Sequence, residues 1–149
     1  MPTIGESNID AFSKHQSMTD REFIERFEAD AISEDSFHHA DHVRLLFAFL
    51  SQFPPREALD RFCSALKRFT IARGKAELYH ETITLAYFFL IRERMARSGD
   101  MDWVEFALGN PDLLVWRNGV LSRYYSDETL KSDLARRIFV MPDKSNFGV

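Results

Sequence analysis

Between Pro54-Pro55 and Arg73-Gly74 lies a stretch whose apolar residues, Leu59, Phe62, Cys63, Leu66 and Phe69, recur at steps of three and four. That spacing is the mark of one buried stripe on a helix. The prolines set its start and the glycine its stop. Proline disfavours helical geometry in the residue before it, and glycine takes the left-handed turn after a helix without steric cost. The rest of the chain is of the same kind. Six Gly and five Pro among 149 residues leave little material for sheet turns, whereas fourteen Phe, two Trp and four Tyr supply side chains through which helices pack. A chain of this length is about one domain. The expected fold is an all-α, single-domain helical bundle of about five to six helices.

The first helix should open at Thr19, where Thr-Asp-Arg-Glu forms a capping box, and turn Phe23 and Phe27 inward. A second should run from about residue 37 to 51, with Ser36 as its cap, and the proline-bounded helix follows. The fourth, about 79–97, is apolar nearly all round between Ile83 and Ile91 and stops at Gly99. Such a helix is expected at the centre of a bundle. A short segment over 102–108, a helix opened by Asn110-Pro111 and a last helix from Ser126 to Arg137 complete the set. The segment 138–143 reads as extended and lying back across the bundle. Residues 1–17 read as a loose N-terminal arm, 18–143 as the helical domain and 144–149 as a tail.

Charge narrows the partners. A net charge of −4 without any long Lys/Arg run argues against a grip on nucleic acid phosphates. The central apolar run Leu85–Ile91 is far short of the ~20 residues that cross a bilayer, and no basic-then-apolar leader stands at the start. No membrane or secretory role is expected. Cys63 has no partner cysteine, so nothing suggests an oxidising compartment, and the cytoplasm is the default location. Its neighbours Phe62 and Leu66 make it a packing residue.

Chemistry concentrates in Phe37-His38-His39-Ala40-Asp41-His42 and Tyr79-His80-Glu81-Thr82, which hold four of the five histidines. At ~100° per residue, His38, His39 and His42 fall within one arc of a helix, with Asp41 and Arg44 on the outward side. His80 shares a face with Ile83, Thr84, Tyr87 and Ile91. Buried imidazoles need partners for their nitrogens, and a metal ion is one such partner. His39, His42 and His80 would together hold a divalent transition metal (Zn, Fe, Ni or Cu), leaving an open position for water or substrate. Glu81 would then be the catalytic carboxylate, as base or ring orienter, with Tyr79, Thr82, Thr84 and Tyr87 available to hydrogen-bond the rings. His38 is the weakest member of the set. The competing reading makes each histidine a satisfied core polar group.

The stretches Phe37-x-His39-x-x-His42 and Tyr79-His80-Glu81-Thr82-Ile83-Thr84, with Leu121-x-x-Tyr124-Tyr125-Ser126 and Phe139-Val140-x-Pro142-Asp143, are similar to a group of small bacterial proteins of unassigned function. The resemblance spans about residues 20 to 143. It implies a preference for His39 and His42 over His38 and treats His80-Glu81 as a unit. The arrangement also resembles the DinB-like metal-binding bundles, which use one histidine on one helix and a pair on another. Here the pair comes first and is spaced by three rather than four, so the likeness is architectural and transfers no catalytic residue.

Two functions follow as expectations. One is a small metal-dependent enzyme acting on a small organic molecule. The alternative is a non-enzymatic interaction or dimerisation module with structural histidines, a second copy of the chain being an allowed partner.

Overall fold

The computed structural model describes residues 17–144. The loose arm expected over 1–17 and the tail over 144–149 thus lie almost entirely outside the described residues. Among the described residues seven α-helices follow in order: α1 (Asp20–Glu28), α2 (His39–Gln52), α3 (Pro55–Ala72), α4 (Glu81–Ser98), α5 (Trp103–Gly109), α6 (Asp127–Leu130) and α7 (Asp133–Arg137). Four 3-10 turns, Glu34–Ser36, Ala76–Leu78, Pro111–Leu114 and Val120–Arg123, connect them. No strand occurs among the described residues, and the domain is all-α. None of these helices is long and apolar enough to cross a membrane.

Local signals account for most of the helix ends. Thr19 caps α1 through the Glu22 N–H while Glu22 returns a bond to the Thr19 N–H, the expected reciprocal box. Asp102 and Glu105 repeat the device at α5. Gly74 and Gly99 follow α3 and α4 at φ of 68° and 76°, backbone that a Cβ would strain.

Three features depart from the sequence expectation. First, α2 rather than α4 is the hub. It packs against α1, α3, α4, α5 and the Pro111–Leu114 turn. Its buried residues run from His39 to Phe49 with one gap, at His42, while α4 buries only Thr82, Thr84, Ala86, Tyr87, Phe88 and Ile91. Asp41 and Arg44, assigned outward by helical geometry, are only 2% and 5% exposed. Arg44 is covered where α1 packs on that side. Arg44 donates to the Met18 carbonyl at 2.6 Å and lies over the Phe23 ring, while Asp41 accepts from the His38 N–H at 2.8 Å.

Second, Asn110-Pro111 opens a 3-10 turn instead of an α-helix. It is held by Arg94, which grips both Asp112 oxygens at 2.6 and 2.8 Å and reaches the Asn110 side chain. The guanidinium holds the Asp112 carboxyl below its ordinary range. The turn leads to Gly119, where an added Cβ would stand 2.5 Å from the Val115 carbonyl.

Third, the expected last helix is broken in two. Ser132 caps α7 through the Ala135 N–H and donates to the Thr129 carbonyl. The Leu130 carbonyl, which would continue an α-helix by accepting from residue 134, is taken by the His80 ring at 2.7 Å.

After α7 the chain is non-helical and does return to the bundle. Thr82 ties it at two points, donating to the Ile138 carbonyl and accepting from the Val140 N–H, and the Tyr125 hydroxyl donates to the Val140 carbonyl. Phe139 packs against the core and the Phe89 ring at 5.7 Å, while Ile138 and Met141 stay 48% and 71% exposed, so backbone bonds and one aromatic side chain together fix this strap.

Candidate functional site

The start of α2, the inner side of α3 and the start of α4 enclose a cavity of about 830 Å³. Phe37, Phe62, Phe69, Tyr87 and Trp116 supply aromatic wall, with Val43, Leu46, Leu66 and Ile83 between them. The charged residues Glu34, Asp35, Lys75, Glu77 and Arg136 also border it; the first four are solvent-exposed and Arg136 is half-buried and paired with Asp133, so unpaired charge stays at the rim and apolar surface lies inside. Lys75 and Glu34 form an ion pair there. His38, His39, His42 and His80 all line this space. The four clustered histidines of the sequence do therefore converge on one cavity.

Their hydrogen bonding differs from ring to ring. His39 is 3% exposed and places its Nε2 2.9 Å from the Leu113 carbonyl, on the turn that Arg94 holds. A carbonyl can only accept, so this nitrogen carries the proton and Nδ1 keeps the lone pair. The ring is flanked by Tyr87 at 5.0 Å and Trp116 at 5.2 Å. Burial pulls its pKa down to about 4, against a smaller upward pull from Leu113.

His80 is the N-cap of α4. Its Nδ1 accepts from the Ile83 N–H at 3.1 Å and its Nε2 donates to the Leu130 carbonyl. Both nitrogens are engaged, and no lone pair is left over. One imidazole thus starts α4 and ends α6, a role that serine or aspartate fills at most helix starts but without the second bond.

His42 is the exception. Its ring packs on Phe37 with centroids 4.3 Å apart, and neither ring nitrogen bonds another described residue. What surface it retains borders the cavity. Burial, with a smaller contribution from the neighbouring His39, lowers its pKa to about 3. At neutral pH the ring is uncharged, offering one N–H and one lone pair.

The expected catalytic carboxylate lies elsewhere. Glu81 accepts from the Tyr79 hydroxyl at 2.7 Å and borders a second, smaller cavity with Lys67, Arg136 and Arg137, not the histidine-lined one. The Cys63 thiol is pushed up by burial, in keeping with a packing role. Thr84 bonds the His80 carbonyl within its own helix, and Thr82 serves the strap, so neither threonine hydroxyl donates to a ring nitrogen.

Among the described residues no three or more His, Cys, Asp or Glu side chains are grouped to hold a metal ion. The donor inventory explains why: His39 and His42 each have a lone pair, while His80 has spent its own on Ile83. An ion held by all three would require His80 to leave its cap.

No family model, curated protein or solved structure matches the chain. The site must be read from its own chemistry.

Sequence patterning brought the four histidines to one place but could not assign their partners. Two of those partners are backbone carbonyls, Leu113 and Leu130, which lie 74 and 50 residues away from the rings they meet and carry no side-chain signature. Phe37 was visible as the aromatic before the histidine pair; its function as the shelf beneath His42 was not.

Proposed function

We propose that this protein binds a small organic molecule in the histidine-lined cavity. The observation that carries the reading is His42: a half-buried neutral imidazole whose ring nitrogens bond no described residue, facing an aromatic space. A polar group without a protein hydrogen bond in the wall of an apolar cavity favours a ligand that supplies one. The cavity's size falls in the ~300–1,000 Å³ range of small-molecule sites, and a few polar groups set in an apolar wall is their usual composition.

The test is native mass spectrometry of untagged protein purified without organic solvent, beside a Leu66→Trp variant that fills the cavity. A bound species of a few hundred daltons, present in the parent protein and lost in the variant, supports the reading. Small-molecule screening that finds no binder distinguishing the two proteins overturns it.

A metal centre is the second reading, favoured by His39 and His42 lining one cavity three residues apart with a lone pair each. Such a pair can hold adjacent coordination positions of Zn, Fe, Ni or Cu, and a bound ion would polarise an oxygen of the ligand. Plasma mass spectrometry of the same sample decides it. About one metal per chain, abolished by either His39→Ala or His42→Ala, would favour the metal-dependent enzyme, and metal-free protein that resists loading would remove it.

A further inference from the structure

The cavity is sorted by polarity from rim to floor, and that sorting restricts what can enter. Resting on the small-molecule reading above, we infer that the site selects an uncharged, flat aromatic molecule bearing a hydroxyl or ring N–H, with that group received by His42. Three observations converge on it. Formal charges border the cavity at Glu34, Asp35, Lys75 and Glu77, which water reaches, and at Arg136, whose guanidinium is already paired with Asp133. An ionised carboxylate or ammonium carried inward to His42 would lose its hydration without gaining an unpaired counter-ion, since the Arg136 cation is held by Asp133. The ring of His42 borders the cavity with neither nitrogen bonded to a described residue, so it complements a group that can donate and accept at once. A hydroxyl does both, and a ring N–H uses the lone pair. Finally, Phe37 packs on His42 at 4.3 Å, and Trp116 and Tyr87 present further rings to the same space, surfaces against which a planar ligand stacks or meets edge to face.

Three probes of one shape separate these features: 2-naphthol, naphthalene and 2-naphthoate, with dissociation constants from ligand-observed NMR at pH 7. The naphthol is expected to bind at least tenfold more tightly than either of the others. In His42→Phe that advantage over naphthalene should fall below threefold, with naphthalene itself still bound. In the parent protein the His42 ring nitrogens should shift in ¹⁵N spectra on adding naphthol and stay put on adding naphthalene, a readout that requires no variant to fold.

Naphthalene binding as well as naphthol, or naphthoate binding best, overturns the selectivity while leaving the cavity a ligand site. Failure of all three to bind, with the parent no different from Leu66→Trp, overturns the ligand site and the selectivity with it.

Discussion

Acidification from pH 7 to pH 5 should cost this protein several kcal/mol of stability, and two named rings should account for it. His39 and His42 are held neutral in the folded chain, with pKa values near 4 and 3, because burial disfavours their charged forms. In the unfolded chain both titrate near the ordinary histidine value of ~6.5. Between these limits the unfolded state binds more protons than the native state, so stability rises with pH. The contribution is fully present above about pH 7 and is lost as pH falls toward the folded values. At pH 5 an unfolded ring with a pKa of ~6.5 gains about 2 kcal/mol from protonation, while the native rings gain almost nothing. The pair therefore costs at most about 4 kcal/mol, a large share of the ~5–15 kcal/mol that a domain possesses. Carboxylates titrate mostly below this window. Urea unfolding at pH 7, 6 and 5, followed by tryptophan fluorescence, measures the loss in the parent protein, in His39→Gln and in His42→Gln. Each variant should lose about half as much on acidification, whatever its stability at pH 7. Parallel stability curves for all three proteins, or an NMR titration that places either ring near pH 6.5, would refute the reasoning.

Substituting His80→Ala removes an N-cap and a long-range hydrogen bond together, for an expected loss of about 2 kcal/mol. His80→Asn, which can still cap α4, should recover about half in the same urea assay. Thr82→Val deletes both ties to the strap. Trypsin should then cut after Arg137 several-fold faster, with the denaturation midpoint moving by no more than about 2 kcal/mol in equivalent free energy. Gly119→Ala forces a Cβ against the Val115 carbonyl, and thermal unfolding should show a loss of at least about 1 kcal/mol.

Much of the fold was legible because the signals were local. The Thr19 box, the Pro54-Pro55 boundary and the stripe from Leu59 to Phe69 each act within a few residues, and each sits where it was expected. The misjudged elements were decided by tertiary partners. Arg44 looks like part of a solvated face until α1 is laid over it, and nothing near it in sequence announces that helix as its cover. The continuous helix expected through Arg137 fails where the His80 ring takes the Leu130 carbonyl. The candidate site divides the same way. Helical spacing gathers the histidines, but whether a given imidazole is a cap, a core donor or an open group depends on distant backbone atoms, and of His39, His42 and His80 it is His42 that comes out open.

The two-headed bonding of His80 also bears on the order in which the molecule assembles. Its link to Leu130 spans 50 residues, and the ties from Thr82 to the strap span 56 and 58. None of these can reward the chain until a loop of that length has closed, an entropic cost that falls before any gain. Helices α1 to α4 meet mainly sequence neighbours, so they can condense first, and the last quarter of the chain then docks onto the exposed start of α4. Kinetically, residues 126–143 are a late clasp. Substitutions within it should speed unfolding while leaving the rate of folding almost unchanged.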